Sequence, residues 1–495
     1  MHSLKRARAA EPCSVPQGAD EAIGREFGHH LSALNRRFAA WVRQSINADP
    51  KANLGPGVED YETYVSILRE RYLRPGGLVL TFGSGDCGQL AHGIEEDEDL
   101  MVKAPRIVKS LSSLLVAGIS CGGLHNAIYT TSGAVYTWGC NDDASLGRAG
   151  TEHEPIRVLG ALEAQTIIGV ACGDGQTLCV SASGAVFGWG CYKDKEGKTF
   201  FNLDSSNPKV KIKRKQDVPL AISGFPAGAK VVEVACGSAH NLALCSDGVV
   251  YSWGLGESGE LGRVVGEMKL PAVGDEEQQY DFPTIEKQHL APSGMLLDAG
   301  PGVVGGAKLV AAGAYHSFVV TAGAVYSTGL NNYGQLGLGD VQNRTKLVEI
   351  VALRGLGVKA IKGGMHHSLA LTSAGRVLAF GRGDSGQVGV VDLSGKGGGE
   401  AGAYIAVPVV VPLPDAALGA SISCGANHNL VLSPQGSVYS WGYGDMLALG
   451  HGQEADEAAP RKIDAKRIRG LEGYTVTQAC AGGQHSALLA AKTGP

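Results

Sequence analysis

One short signature recurs seven times along this chain, and it is out of phase at the two ends. Its first half is a Gly-x-x-His turn: Gly122 to His125, Gly237 to His240, Gly313 to His316, Gly363 to His366, Gly425 to His428 and Gly482 to His485, with Gly173 to Gln176 as a variant. Its second half is an aromatic–glycine pair that ends a strand. The pairs are Phe82-Gly83, Trp138-Gly139, Trp189-Gly190, Trp253-Gly254, Phe380-Gly381 and Trp441-Gly442, with Thr328-Gly329 lacking the aromatic. The series therefore opens on an orphan second half and closes on an orphan first half. If the two orphans share one sheet, the chain forms a ring with no open sheet edge. The fold class expected is all-β: a seven-bladed β-propeller over residues 77–492, closed by its N- and C-terminal strands. Such a ring offers a binding platform rather than a cleft between domains.

The first-half glycines lie between 50 and 76 residues apart. Four short strands with turns need roughly 40 residues, so each blade carries extra loop. Runs such as Gly133-Ala-Val-Tyr-Thr-Trp138 and Gly248-Val-Val-Tyr-Ser-Trp253 are β-branched and aromatic, with glycine at their borders.

The ring absorbs about 415 of the 495 residues. No apolar run approaches the roughly 20 residues that span a membrane, so no membrane association is expected. The first ten residues, Met1 to Ala10, lack a hydrophobic signal core, so secretion is not expected either. Of eleven cysteines, Cys121, Cys172, Cys236, Cys424 and Cys480 fall at matching repeat positions and read as small buried thiols. No Cys-x-x-Cys pair occurs, which disfavours zinc and a disulfide framework and suits a reducing nucleus or cytoplasm. A net charge of −5 excludes a globally basic nucleic-acid binder. The charge is patchy: Lys5, Arg6 and Arg8 make a small basic tail, Glu95 to Asp99 an acidic run, and Lys209 to Lys215 a basic one. The last reads equally as an import or phosphate-contact segment and as an exposed edge strand.

Residues 1–19 read as a flexible tail. In the arm that follows, 20–75, Ile23, Phe27, Leu31, Leu34, Phe38, Trp41, Val42 and Ile46 recur at helical spacing. Asp49-Pro50 ends that helix, and Asp60 caps a second one bearing Tyr61, Tyr64, Ile67, Leu68 and Tyr72. The arm either docks on the ring to bury its stripe or binds a partner through Leu34, Asn35, Phe38, Trp41, Asp60, Tyr61 and Tyr64.

Candidate chemistry is sparse. Three Gly-x-Gly-x-x-Gly strings start at Gly83, Gly254 and Gly381, all at one phase of the repeat and with no helix to follow. A phosphate site needs the helix N-terminus, so these read as turns and no nucleotide cofactor is expected. The histidines are spread one per blade, whereas a metal needs three or four ligands about one centre. Bonds from them to local backbone are the expectation. No hydrolase elbow or metalloprotease helix is present, so no covalent chemistry is expected. The turn after Trp189-Gly190 breaks the repeat, running Cys191-Tyr-Lys-Asp-Lys-Glu-Gly-Lys198. It is either an ordinary hairpin insertion or a projecting wedge.

Beyond the generic repeat, blade-specific strings resemble one family. They are Cys140-Asn-Asp-Asp-Ala-Ser-Leu-Gly-Arg148, Leu255-Gly-Glu-Ser-Gly-Glu-Leu-Gly-Arg263, Gly313-Ala-Tyr315 with Leu330-Asn-Asn-Tyr333, and Asp217-Val-Pro219. Over residues 77–490 the chain resembles the regulator of chromosome condensation, the exchange factor for the small GTPase Ran. The resemblance implies a nuclear protein without covalent chemistry, expected to be a monomer, whose hairpin Tyr192, Lys193, Asp194, Lys195, Glu196 and Gly197 presses nucleotide out of Ran. Carried over by position, Asp86, Asp174, His366 and His485 would face Ran with Arg263 nearby, and the opposite face would meet histones and DNA of the nucleosome. One departure is Ala239, where the family has an aspartate important for exchange. Such a bond is worth about 2–5 kcal/mol, so the alternative is a scaffold that binds Ran or chromatin without efficient exchange. The ultraviolet-photoreceptor branch relies on clustered tryptophans, and four of the five here are strand-ending Trp-Gly residues. Within the arm, Leu31 to Asn35, Trp41-Val42, Asp49-Pro50, Leu54 to Pro56 and Asp60 to Tyr64 resemble the fifty-kilodalton nuclear-basket nucleoporin. That similarity implies a tether to Ran exchange or to a basket nucleoporin.

Overall fold

Alternating, glycine-bounded runs produce thirty strands among the described residues. The computed structural model describes residues 74, 76–93, 100–194, 196–201, 213–263, 290–297, 305–391, 402–464, 468 and 470–492. The tail, the named residues of the arm, the acidic run, most of the basic run and Lys195 lie outside them.

Twenty-eight of the strands form seven antiparallel blades of four, and the other two form a small hairpin. Blade 1 is stitched from both ends of the ring: Tyr474–Ala481, His485–Lys492, Gly77–Ser84 and Met101–Ile107. Its two central strands pair over seven consecutive residues, from Gly77 opposite Ala491 to Gly83 opposite His485. The ring is therefore closed as the orphan half-signatures require. Blades 2 to 7 follow in chain order, starting at Val116, Ile167, Val231, Ala307, Val358 and Ser421.

The core lies between blades rather than inside one sheet, and there is one apolar cluster per seam. Between blades 6 and 7, for example, Leu369, Leu371 and Val377 pack against Val431, Tyr439 and Trp441. Trp138, Trp189, Trp253 and Trp441 are each 0–1% exposed in four different clusters. The glycine after each strand-ending residue has a positive φ, as in Gly139 at 102° and Gly442 at 106°. A Cβ on Gly139 would stand 2.5 Å from the Leu124 carbonyl oxygen, so this bend accepts no side chain.

Thiols knit the innermost strands. Cys172, Cys236 and Cys424 donate to Ser120 O, Ala171 O and Lys362 O of the preceding blade at 3.4–3.5 Å. Burial raises the Cys172 and Cys424 thiols to about 12, which keeps them protonated donors.

Candidate functional site: an acidic funnel with a hairpin on its wall

All seven Gly-x-x-His turns emerge at the same end of the ring, because each joins the two innermost strands of its blade. Together with the loops after the aromatic–glycine pairs they enclose a central funnel of about 860 Å³. Asp143, Asp174, Asp194, Glu257, Glu260 and Asp445 line it, against Lys193 as its lysine. A concave surface with one sign of charge focuses the field and draws an oppositely charged partner. The funnel suits a basic protein surface.

The hairpin rises beside Asp143 and Asp174. Tyr192–Lys193 pairs with Thr199–Phe200. Asp194 ties the turn, its Oδ1 accepting from the N–H groups of Glu196 (2.9 Å) and Lys198 (2.8 Å). Gly197 takes a φ of 80° in open space. Glu196 and Gly197 are exposed at the tip, and Lys198 pairs with Glu196 at 2.8 Å. The root is apolar: Tyr192 stacks on Phe201 with centroids 5.7 Å apart, and both are 1% exposed within the seam of blades 3 and 4.

The ring histidines differ from expectation. They do not bond local backbone; each Nε2 crosses a seam to a side chain of the next blade. His125 reaches Thr177 (2.8 Å), His240 Ser317 (2.9 Å), His316 Ser368 (2.9 Å), His367 Asn429 (2.8 Å), His428 Ser486 (2.8 Å) and His485 Asn126 (2.8 Å). Burial drives them toward the neutral form, His125 and His367 to about 4 and His240, His428 and His485 to about 3.

In blade 6 the register is one residue later than the signature suggests. Gly364 and His367 hold the ring positions, and His366 is half-buried beside Tyr315 and Tyr333, with centroids 6.0 and 5.1 Å away. Arg382 lies over Tyr333 and forms a bidentate pair with Asp384.

The other expected site residues divide. Asp86 and Asp174 are exposed on the funnel end, and Lys193 is exposed on the hairpin. Ala239 lies in the funnel wall between Ser238 and His240 and brings no carboxylate there. His485 is fully buried in its seam and presents no surface to a partner. Arg263 is 6% exposed, its guanidinium donating to Ser252 O (3.3 Å) and Ala291 O (3.5 Å), so it braces a loop. Tyr192 and Asp194 support the hairpin from inside and do not project from it. Sequence reasoning missed Asp143, although its place in the Cys140–Arg148 string beside the insertion was the available signal. Its Oδ2 lies 2.6 Å from Lys193 Nζ and its Oδ1 3.9 Å from Lys215 Nζ.

The three Gly-x-Gly-x-x-Gly strings are turns between strands, none opening a helix. Among the described residues no group of three or more His, Cys, Asp or Glu is placed to hold a metal ion, and no helix is long and apolar enough to cross a membrane.

Comparison with known proteins bears on this arrangement. Residues 78–488 match the model of the RCC1-like domain. The regulator of chromosome condensation of Mus musculus is 32% identical over 86% of this chain and 93% of its own length. The ultraviolet-B receptor UVR8 of Arabidopsis thaliana is 30% identical over 82% of this chain and 81% of its own. Among solved structures, Prp20p from Saccharomyces cerevisiae, described with its binding properties to Gsp1p and histones, superposes with a TM-score of 0.73 at 25% identity, covering 86% of this chain and 94% of Prp20p. By fold, repeat and sequence, the chain belongs to the RCC1-like domain family.

Proposed function

We propose that this protein is a guanine-nucleotide exchange factor for the GTPase Ran, acting in the nucleus and docking on chromatin through histones and DNA. The observation that carries the reading is a polar-tipped hairpin on the wall of an acidic funnel. The funnel, with Asp174 on its wall and Asp86 exposed at the same end, attracts basic residues of Ran. The exposed Lys193, Glu196 and Gly197 of the hairpin are presented to the region that holds nucleotide and Mg²⁺. His366 adds a polar contact from the opposite side. A partner that prefers nucleotide-free Ran weakens nucleotide affinity by the same factor, and no covalent step is involved. The binding of Prp20p to Gsp1p and histones supports the two classes of partner. The arm tethers the complex to a nuclear-basket nucleoporin at the pore, serving nucleocytoplasmic transport.

Ala239 favours a second reading, a scaffold that binds Ran without releasing its nucleotide efficiently. Photoreception has less support, because each described tryptophan is buried in a different seam. Release of a fluorescent GDP analogue from Ran, driven by catalytic amounts of this protein, separates exchange from scaffolding. Fast multiple-turnover release establishes exchange. Stoichiometric capture with release restored only by Ala239→Asp establishes the scaffold.

A further inference from the structure

Six seams share one polar closure. The ring histidine reaches the residue after its counterpart in the next blade, and that residue passes a hydrogen bond to a loop carbonyl of the histidine's own blade. Ser317 donates to Glu260 O (2.7 Å), Ser368 to Gln335 O (2.9 Å) and Ser486 to Ala448 O (2.9 Å). The seam between blades 3 and 4 is built otherwise. Gln176 replaces the histidine and turns its amide N–H to Gly237 O at 3.0 Å, which leaves Asn241 without the ring partner. The loop that would supply a carbonyl is the one the hairpin replaces.

Tyr192 fills the gap. Its hydroxyl lies 3.0 Å from the Asn241 amide, and in the orientation that satisfies every group the amide oxygen accepts from both Tyr192 Oη and Trp253 Nε1 (3.2 Å). The hairpin root is thus a working part of the ring. A second contact acts on the hairpin's other side: Asp143 holds Lys193 at 2.6 Å and draws Lys215 alongside, while Lys215 also donates to Asp142 O. Gly175 makes room for this, since a Cβ there would meet Asp143 Oδ2 and Cys191 O, each at 3.0 Å.

We infer that Asn241 and Asp143 are positioning residues for the hairpin, Asn241 locking Tyr192 into the blade 3–4 seam and Asp143 fixing the tilt of the Lys193 edge. The hairpin then meets its partner as a preset wedge, with little ordering left for the encounter. Its consequence for nucleotide release rests on the exchange reading above; the rigidity itself does not.

Amide hydrogen exchange across residues 192–200 of the free full-length protein tests the inference directly. Asp143→Asn lowers protection there about threefold, in keeping with a partly exposed ion pair. Tyr192→Phe lowers it about tenfold, in keeping with a lost buried hydrogen bond. Adding Gln176→His to Tyr192→Phe returns a ring partner to Asn241 and restores melting temperature, yet the hairpin stays mobile; a merely structural tyrosine would restore both together. Nucleotide release from Ran falls about threefold with Asp143→Asn and converges on the unaltered protein at about 1 M salt, where the screening length is about 3 Å. Unchanged protection in both single variants overturns the inference. Lowered protection in a protein that releases no nucleotide supports the positioning roles and overturns the exchange reading alone.

Discussion

Glu260 stands where blades 1, 5 and 6 carry glutamine, and the exchange of one atom type there sets a pH dependence for the whole ring. In Gln89, Gln335 and Gln387 the amide oxygen accepts the N–H two residues back, from Cys87 (2.8 Å), Tyr333 (2.9 Å) and Ser385 (3.0 Å). Their amide N–H groups donate to Ser84, Asn332 and Asp384. Glu260 keeps the first bond, accepting from Ser258 N–H at 2.7 Å, but as a carboxylate it has nothing to donate. It is 4% exposed. Burial raises its carboxyl from 4.5 to about 7, against the lowering effect of backbone N–H bonds and with Glu257 adding to the rise. Between those values the folded state keeps a proton that the unfolded chain has lost. Stability therefore falls as pH rises through this window, and the loss is complete above it. Two and a half units at about 1.36 kcal/mol each amount to roughly 3 kcal/mol. Glu260→Gln supplies the N–H at every pH and removes the loss. With an unfolding entropy of about 2.1 cal/mol/K per residue over roughly 400 residues, the gain is about 4 °C at pH 8. At pH 5 it shrinks to about 1 °C. Scanning calorimetry of both proteins at the two pH values decides the matter. An equal shift at both, or a lower melting temperature at pH 8, would refute the reasoning.

Acid acts on the seams in the opposite sense. His125, His240, His367, His428 and His485 have folded values of about 3–4, below the 6.5 of the free side chain, and burial lowers His316 as well, so the unfolded chain alone takes up protons as pH falls from about 6.5. Each contributes a slope of about 1.4 kcal/mol per pH unit in that window, and urea midpoints measured from pH 7 to 5 should fall steeply; a flat profile contradicts the neutral seam. Trp441→Ala removes a side chain with no exposure and a 3.0 Å bond to Gln387 O, and should cost about 3–5 kcal/mol by chemical denaturation. Gly175→Ala should disturb the Asp143–Lys193 pair and raise hydrogen exchange at Lys193 about twofold, with near-native secondary structure by circular dichroism. Association with a basic partner should slow several-fold between 50 and 500 mM salt in stopped-flow mixing; a salt-independent rate would mean that the acidic funnel plays no part.

Much of this was legible in the sequence, for a physical reason. Strand-ending Trp-Gly pairs and turn glycines are dictated by local geometry that repeats in every blade, so their phase alone gave the ring and its closure. The register of blade 6 was not legible, because the doublets Gly363-Gly364 and His366-His367 satisfy the signature in two frames. The seam bond from His367 to Asn429 and the pairing of His367 opposite Gly381 distinguish them. Arg263, expected near the Ran-facing side, and Arg148 both follow Leu-Gly in a polar loop. Both are buried, Arg148 donating to Thr137 O at 2.7 Å. Tyr192 faces inward because Asn241, 49 residues further on, needs its hydroxyl. No local pattern carries that information.

The closing blade also sets a timetable for synthesis. Strand Gly77–Ser84 leaves the ribosome some four hundred residues before its partner His485–Lys492 exists. At about 5–20 residues per second, that interval is on the order of 20–80 s. Leu78, Leu80 and Phe82 spend it beside an unpaired backbone edge, a surface that chaperones hold and that neighbouring nascent chains can join. A premature stop after Lys462 and ahead of His485 would thus yield six finished blades and a permanently sticky seventh, a product marked for aggregation or disposal rather than a slightly shorter ring.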